Sequence, residues 1–437
     1  MQAKIISKSE TGVEILLKIN FTESMLESES LIQDAVNDAG KIATSELLSR
    51  FDTDGSKISI GKINLSSKGR SSQMYQTPYG EVNVRRHVYQ SSKGGRTYCP
   101  MEHSARILLK ATPRYAKQVS HKSAEMASNQ VAKDMLENHN RSIPRSYIKK
   151  LSEAVAAIIQ TKEESWSYQT PEKLKNVSTI SIGLDGTCMF LCKDGYRQAM
   201  VGTLTLYDKE GERLHTTYVA SEPEYGKHKF KKRMDSEIEH IKKQYPDADR
   251  IGLADGAVDN WSYLNNHVDT QILDFYHATE YLSSIAPIVS RKQSDQQKWL
   301  KETCHDLKHN QGAALKILSE MKELKKKKLS KALTENLSSA ITYFSNHNAK
   351  MSYAEERALG HPIGSGVTEA GCKVIVKQRM CKSGMKWKDK GASAVLSLRS
   401  LTYSDGRWKI LWSKINQYGF LTSYYEHACC FWIFLSI

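Results

Sequence analysis

Residues 179–186 read TISIGLDG, and residues 249–256 read DRIGLADG. Each stretch is a short apolar run that ends in an aspartate followed by a glycine. This pattern predicts a buried strand that holds a carboxylate toward a cleft, while the glycine lets the chain turn away. An Asp-Gly pair alone is also a common turn dipeptide, so one such strand would be weak evidence. Two of them make Asp185 and Asp255 candidate metal ligands.

The segments around these two strands predict the order of a sheet. Between residues 179 and 277 the pattern gives three consecutive strands, a helix, a strand, a short helix and a strand. This order is typical of a ribonuclease H-like mixed sheet, in which the first and fourth strands are neighbours. We therefore predict an α/β fold with a ribonuclease H-like mixed sheet as its catalytic core. Asp185 and Asp255 would then bind a common pair of ions.

A third carboxylate is predicted on a helix that packs across the edge of the sheet. Residues 361–387 read HPIGSGVTEAGCKVIVKQRMCKSGMKW, and the GSG loop is expected to open a helix with Glu369 in its first turn. Lys373 and Lys377 follow Glu369 at four-residue steps, so we expect all three on one face. There the two lysines, together with Arg379, would contact DNA phosphates.

Three carboxylates gathered in this way are typical of two-metal phosphoryl transfer. One ion activates the attacking water or 3′-hydroxyl, and the other stabilises the leaving oxygen. Magnesium suits such a site because it prefers few carboxylates, retained waters and phosphate oxygens. We therefore expect two Mg²⁺ ions, for which Mn²⁺ would substitute, bound by Asp185, Asp255 and Glu369.

The charge of the chain predicts a polyanionic partner. The 437 residues include 63 Lys and Arg against 48 Asp and Glu, a formal net charge of +15. Binding to phosphates is favourable because it releases condensed counterions, which fits nucleic acid or an acidic membrane. No apolar run reaches the ~20 residues that cross a bilayer, and the N-terminal residues lack the apolar region of a signal peptide. We therefore expect a cytoplasmic, nucleoid-associated protein that binds DNA and no membrane.

The cysteines indicate neither a disulfide framework nor a zinc site. None of the eight forms a CxxC pair, so we expect reduced thiols. Cys188 and Cys192 lie four residues apart, but no second pair follows at zinc-site spacing, which disfavours structural zinc.

Two N-terminal modules are predicted before the core. Residues 1–103 predict an amphipathic helical segment followed by a small β-rich module, and residues 104–165 predict helices. In the second module a turn precedes a helix that carries Arg145, Lys149 and Lys150. A helix-turn-helix reader of DNA fits this arrangement, because its second helix carries donors into the major groove. A helical bundle with a charged surface would look similar, so both interpretations stay open.

Several stretches resemble one family of transposases. They are YGEVNVRRHVYQ at 79–90, CPMEH at 99–103, LDGT at 184–187, LADGA at 253–257, DFYHATEYL at 274–282 and the long segment at 360–387. Together they resemble the Kra-four family of bacterial insertion-sequence transposases, which is related to the Mutator-like transposases. The resemblance implies a DDE active site at Asp185, Asp255 and Glu369.

The resemblance also points to two residues after the second carboxylate. In related transposases a Cys or Asp is followed, after two intervening residues, by a His. Asp274 and His277 fit this spacing. Asp274 is expected either beside the carboxylates or, in a different register, as a metal ligand in place of Asp255. His277 is expected to position the scissile phosphate or the target strand, unless it is a capping or core histidine.

Sequence patterns divide the chain after the N-terminal modules into four predicted parts. The predicted parts are the first part of the core at 175–277, a helical insertion at 278–360, the last part of the core with the Glu-bearing helix at 361–420, and an atypical apolar tail at 421–437. In the insertion, the lysines at 325–328 either clamp DNA or form a solvated face, and Trp299 either stacks on a flipped base or belongs to the core. The tail resembles nothing in the family. Translation past a disrupted stop codon or frame boundary would explain it, which leaves the activity of this copy open.

The sequence therefore predicts a DNA transposase that cleaves insertion-sequence ends and joins their 3′-hydroxyls to target DNA. Its partner would be double-stranded DNA, both the terminal inverted repeats and the target, and synapsis of two ends predicts a homo-oligomer on DNA. Two alternatives remain: a ribonuclease H-like nuclease without strand transfer, and a non-catalytic DNA-binding transposase remnant. The terminal repeat, the target site and the choice between copy-and-paste and cut-and-paste stay open.

Overall fold

The computed structural model describes residues 3–163 and 174–419. Residues 164–173, in the polar stretch before the core, and the predicted apolar tail at 421–437 lie outside the described residues. The described residues divide into two compact units, one formed by those of 1–161 with 409–419 and the other by those of 162–408. None of the helices in the described ranges combines the length and the apolar character that a membrane crossing requires.

The first unit begins with a β-hairpin, where the pattern predicts a helical segment. Its strands are β1 (Ala3–Lys8) and β2 (Val13–Leu17). Ser9 closes the turn, because its backbone N–H donates to the Gly12 carbonyl and its hydroxyl accepts from the Gly12 N–H. Such local side-chain hydrogen bonds favour a turn without leaving a periodic signal. The predicted helix follows as α1 (Met25–Arg50).

A small antiparallel sheet and further helices complete the first unit. They are β3 (Ile58–Ile60), β4 (Ile63–Thr77), β5 (Gly80–Ser91), β6 (Gly94–Tyr98), α2 (Pro100–Ser104), α3 (Pro113–Glu125), α4 (Ser128–His139) and α5 (Arg145–Glu163). The four strands pair in sequence order. Alternate residues of β5 are buried, as a strand with one solvated face requires, and Val82 and Val84 pack there with Tyr75 and Met101.

The second unit is built on a five-stranded mixed sheet. Its strands are β7 (Thr179–Leu191), β8 (Gly195–Tyr207), β9 (Arg213–Ser221), β10 (Asp249–Ala254) and β11 (Thr270–Leu273). Their spatial order is β11-β10-β7-β8-β9. β7, β8 and β9 pair antiparallel, whereas β10 runs parallel to β7 and β11 runs parallel to β10. The chain is therefore α/β with a mixed sheet, as predicted, and the first and fourth strands of this sheet are neighbours.

Helices surround and follow this sheet. They are α6 (His228–Gln244), α7 (Val258–Leu264), α8 (Phe275–Val289), α9 (Gln293–His309), α10 (Ala313–Leu324), α11 (Lys331–His347), α12 (Tyr353–Ala358), α13 (Gly366–Gly371), α14 (Gln378–Met380) and α15 (Asp389–Tyr403). A last helix, α16 (Arg407–Tyr418), begins in this unit, but its residues from Lys409 onward group with the first unit. Cys372–Lys377, between α13 and α14, forms a π-helix. Apolar residues of β7, β10 and α6 share one core with those of α8, α10 and α11. Trp299 is partly buried against this core, which favours the packing role for its side chain.

Candidate active site

Asp185 lies in the middle of β7, not at its end. The strand continues beyond Asp185 to Leu191, paired with β8. The prediction that the chain turns away after Asp185 is therefore wrong, because antiparallel pairing with β8 persists after the parallel pairing with β10 has ended at Gly183. Gly186 instead leaves room for the Gln198 side chain, which a Cβ at this position would meet at 2.3 Å.

Asp255 follows β10 directly, and here the chain does turn as predicted. Gly256 has a φ of +112°, a conformation that residues with a side chain rarely adopt. The Asp255 carboxylate accepts a hydrogen bond from the Ala257 N–H at 3.2 Å. Its backbone carbonyl accepts one from the Tyr343 hydroxyl of α11 at 2.8 Å, so the helical segment holds this turn in place.

Parallel pairing brings the two aspartates side by side. Gly183 of β7 pairs with Leu253 of β10, and Asp185 and Asp255 each lie two residues further along their strands. Both aspartates line one cavity of about 270 Å³. The other side chains around this cavity include Gln198, Met200, Lys227, Asp259 and Asn260. The structure thus places together the two carboxylates that the repeated sequence pattern pairs.

Glu369 lies in the first turn of α13, as the GSG loop predicts. The helix approaches β7 closely at Gly183, where a Cβ would stand 2.0 Å from the Thr368 hydroxyl oxygen. That hydroxyl forms a 2.7 Å hydrogen bond with the Thr203 hydroxyl of β8. Because only glycine allows this approach, the Glu-bearing helix packs directly on the strand that holds Asp185.

Cys372, one turn after Glu369, joins this helical segment to Asp185. Its sulfur lies 3.3 Å from a carboxylate oxygen of Asp185. Burial raises the pKa of the Cys372 thiol, and the nearby Asp185 carboxylate raises it further, with a smaller contribution from Glu369. The thiol therefore stays protonated and donates to Asp185. Both acidic residues lie within electrostatic reach of one buried thiol.

Asp274 and Glu369 share one serine hydroxyl. The Ser365 Oγ lies 2.6 Å from Oδ2 of Asp274 and 2.8 Å from Oε1 of Glu369. The Oδ1 atom of Asp274 caps α8 by accepting from the Tyr276 N–H at 3.0 Å. A hydroxyl has one hydrogen, so Ser365 donates to one carboxylate at a time. The other carboxylate oxygen keeps its capacity to bind a proton or a cation.

His277 lies in the first turn of α8, because β11 ends at Leu273, earlier than the pattern predicts. Its side chain is 40% exposed, and its Nδ1 lies 3.6 Å from the Glu280 carboxylate. Its ring centre lies 6.4 Å from that of Tyr343, the residue whose hydroxyl donates to the Asp255 carbonyl. The Tyr343 side chain therefore links His277 to the turn at Asp255.

The cations predicted near Glu369 differ in exposure. Lys373 and Lys377 are exposed on the π-helix. Arg379 is only 4% exposed, and its guanidinium carbon lies 5.1 Å from the centre of the Trp387 ring. The prediction of Arg379 as a DNA contact therefore needs correction, because burial and the cation–π contact hold its side chain inside the unit.

The cations predicted in the first unit are all exposed. Arg145, Lys149 and Lys150 lie in the first two turns of α5. The Lys149 ammonium lies 3.9 Å from the Glu153 carboxylate one turn further on, a pair too exposed to hold the lysine firmly. These three side chains are accessible to a phosphate backbone.

The donors at this site suit a hard divalent cation. The acidic residues offer carboxylate oxygens, which Mg²⁺ prefers to nitrogen or sulfur ligands. The single hydrogen of Ser365 also leaves acceptor capacity unfilled at Asp274 or Glu369. Within residues 3–163 and 174–419, no group of three or more His, Cys, Asp or Glu side chains is close enough to hold a metal ion as it stands. Mg²⁺ is usually held by one or two carboxylates together with waters and substrate phosphates, so fewer than three protein ligands still suit it.

The fold and the site define the class of this protein, an α/β protein whose mixed sheet carries carboxylates where the parallel pairing of its strands ends. The sequence matches no protein-family model, and the curated proteins include no significant match. Any assignment of activity therefore depends on the residues themselves.

Three residues of the site are not singled out by the sequence as functional. Ser365 appears there only as part of a loop, although its spacing of four residues from Glu369 is a signal that the two side chains share a helix face. Tyr343 and Lys227 reach the aspartates from remote segments of the chain. No local pattern marks these two residues, because only the folded sheet brings their segments to Asp255.

Proposed function

We propose that the chain is a DDE transposase, which cuts the ends of an insertion sequence and joins their 3′-hydroxyls to target DNA. One observation carries the proposal. Acidic residues from distant parts of the chain gather where the parallel pairing of β7, β10 and β11 ends, namely Asp185, Asp255, Asp274 and Glu369. Gathering like charges is unfavourable unless protons or cations neutralise them. This arrangement therefore favours a site that binds cations.

The proposed fold of the core is ribonuclease H-like. Three antiparallel strands followed by two parallel ones, in the spatial order β11-β10-β7-β8-β9, agree with the strand order expected of that fold. The position of Glu369 on a helix that packs across β7 supports the same proposal.

Each residue of the site has a role in the proposed reaction. Asp185, Asp255 and Glu369 hold Mg²⁺, which when bound supplies positive charge that stabilises the transferring phosphoryl group. Ser365 orients the Glu369 carboxylate through its hydrogen bond. His277, exposed beside the aspartate turn, positions the scissile phosphate or the target strand.

The proposed partner is double-stranded DNA. Lys373 and Lys377 bind phosphates near the cut, and Arg145, Lys149 and Lys150 of α5 bind the terminal inverted repeats. The net charge of +15 supports a polyanionic partner, since each neutralised phosphate releases counterions. Synapsis of two ends requires at least two copies of the chain, so we propose a homo-oligomer on DNA in the bacterial cytoplasm, at the nucleoid.

A cleavage assay on the flanking DNA of its own gene tests the proposal. We expect Mg²⁺-dependent or Mn²⁺-dependent nicking at the element ends, and no product in EDTA. Asp185→Asn should lower the cleavage rate more than about 100-fold. Loss of a residue that only orients a metal ligand would have a smaller effect. Asp185→Asn should leave end binding intact. Asp194→Asn, an exposed aspartate in the β7–β8 turn, is the matched control and should cut normally. Normal cutting by Asp185→Asn would refute the carboxylate assignment.

Strand transfer separates the proposed transposase from its alternatives. Precut ends with free 3′-hydroxyls are incubated with a plasmid target, and a transposase joins the two. A ribonuclease H-like nuclease would cut branched or hybrid substrates without joining ends. A non-catalytic remnant would bind the ends and neither cut nor join them with either metal.

A further inference from the structure

Lys227 has an unusual backbone conformation beside the carboxylates. It lies between β9 and α6 with φ +56° and ψ 30°, in the left-handed region that residues with a Cβ rarely adopt. Within residues 174–408 it is the only residue other than glycine with a positive φ. Such strain persists only where the surrounding structure enforces it, and it concentrates at functional sites.

Lys227 borders two cavities that adjoin each other. Lys227 lines the cavity of about 270 Å³ together with Asp185 and Asp255. It also lines an adjoining cavity of about 700 Å³, together with Lys231. Since Lys227 and Asp259 border both cavities, a bound strand that extends from the carboxylates into the second cavity passes this lysine.

The charge of Lys227 remains available to a ligand. The lysine is half-buried, yet among the described residues its ammonium has no carboxylate within ion-pair distance, although three aspartates line the same cavity. The neighbouring Lys229, by contrast, pairs with Glu222 at 3.3 Å. A cation that is partly withdrawn from water and not paired favours an anionic ligand.

We propose that Lys227 binds a phosphate of the substrate strand next to the one that is cut. The ammonium is a compact point charge with three donors, which suits a non-bridging phosphate oxygen. The strained loop fixes the lysine at the border between the two cavities, so it positions the strand relative to Asp185 and Asp255. This inference rests on the proposed function, because it takes the ligand to be the DNA that the carboxylates cut.

Salt-dependent DNA binding tests the inference apart from catalysis. An end duplex is titrated with the full-length protein in EDTA at several salt concentrations. Loss of one phosphate contact should reduce the slope of log K against log salt by about 0.9, with weaker binding at low salt. We expect this reduction for Lys227→Ala and Lys227→Gly, and a near-normal slope for Lys227→Arg, which keeps the charge.

Lys227→Gly distinguishes a phosphate contact of the lysine side chain from a conformational requirement of the backbone at this position. Lys227→Gly relieves the left-handed conformation, so it should unfold at a temperature about 2 °C higher than Lys227→Ala and bind DNA equally weakly. Lys110→Gly is the matched control, since Lys110 has a φ of +67° in the first unit and lines neither cavity. It should gain stability and bind DNA like the unmodified protein.

Two results would overturn the inference in distinguishable ways. If the unmodified protein cuts its ends while Lys227→Ala retains the full salt slope, the lysine does not contact phosphate and the transposase assignment stands. If the unmodified protein neither binds nor cuts end DNA, the proposed function and the role of Lys227 are both refuted.

Discussion

The carboxylates of the site form two pairs that are held in different ways. Asp185 and Asp255 line a cavity and accept hydrogen bonds from the backbone N–H groups of residues just after them, at 2.6 and 3.2 Å. Asp274 and Glu369 are bridged by the Ser365 hydroxyl, and Asp274 is 1% exposed and caps a helix. The first pair faces a space that a ligand can fill. In the second pair Asp274 is built into the packing at the start of α8, whereas Glu369 is exposed on α13.

The different environments suggest separate roles for the acidic residues of one cluster. A carboxylate that faces a cavity and has few hydrogen bonds can change its contacts when an ion arrives, at little cost to the fold. A carboxylate that caps a helix and accepts from a buried hydroxyl contributes to stability, because removing it leaves donors without partners. Asp274 therefore has the environment of a residue that supports the site, while Asp185 and Asp255 have that of ligands. We propose these roles on that ground.

Removal of the Ser365 hydroxyl should have the largest effect on metal binding by Asp274 and Glu369, the pair that this hydroxyl bridges. Ser365→Ala leaves Asp274 and Glu369 without their shared donor, so metal affinity and cleavage should fall by about 10–100-fold, as when other residues that orient metal ligands are lost. Isothermal titration with Mn²⁺ measures the affinity directly, and the cleavage rate against Mg²⁺ concentration should shift to higher metal.

A second serine in the same unit provides the control for that change. Ser404 is 1% exposed, donates to the Ser400 carbonyl and accepts from the Tyr218 N–H, far from any candidate carboxylate in the sequence. Ser404→Ala should lower stability and leave Mn²⁺ affinity unchanged. Equal loss of Mn²⁺ affinity in both variants would mean that Ser365 acts on general stability only.

An added methyl group at the contact between α13 and β7 should move the pair of Asp274 and Glu369 apart from the pair of Asp185 and Asp255. In Gly183→Ala the new methyl group meets the Thr368 hydroxyl oxygen at 2.0 Å and that of Thr203 at 2.8 Å, so the helix with Glu369 must shift. We expect the free energy of unfolding to fall by about 1–3 kcal/mol, the usual cost of overpacking. Chemical denaturation measures this change, and Mn²⁺ titration reports the displaced carboxylate.

Two further variants locate the cause of that loss. Thr368→Ala combined with Gly183→Ala removes the clashing oxygen and should restore part of the stability, a coupling that independent sites would not show. Gly252→Ala, in the neighbouring β10, meets its nearest side-chain atoms only at 3.2 Å and should cost less. If Gly183→Ala and Gly252→Ala are equally mild, the close approach of α13 to the sheet is incorrect.

The sequence predicts the mixed sheet because its buried strands are apolar runs with visible boundaries. The prediction from sequence fails where strand pairing determines the structure. At Asp185 the Asp-Gly pair predicts a turn, but pairing with β8 keeps the chain extended. The hairpin of β1 and β2 is missed for a related reason, since a serine turn creates it without a periodic pattern.

The site is predicted to the extent that its residues lie in local motifs. Asp185 and Asp255 each precede a glycine, and Glu369 follows the GSG loop at 364–366. The bridge from Ser365 to Asp274 joins residues 91 positions apart, so no local motif contains it. The burial of Arg379 is equally hidden, because it depends on the position of the Trp387 ring.

The smallest expected effect concerns the thiol that joins the two pairs. Burial and the Asp185 carboxylate both raise the pKa of Cys372. Alkylation requires the thiolate, so iodoacetamide should modify Cys372 only at a pH above the usual range of a thiol and should modify the exposed Cys192 sooner. Mass spectrometry of the labelled peptides measures both rates.

Replacing the charge of Asp185 isolates its contribution from that of burial. In Asp185→Asn the thiol keeps its shielding but loses the neighbouring negative charge, so its pKa should fall and Cys372 should react at a lower pH than in the unmodified protein. In urea the two proteins should react alike, because the contact between Cys372 and Asp185 exists only in the folded chain. An identical pH dependence of labelling in the two folded proteins would place the helix of Glu369 away from Asp185 and would separate the two carboxylate pairs.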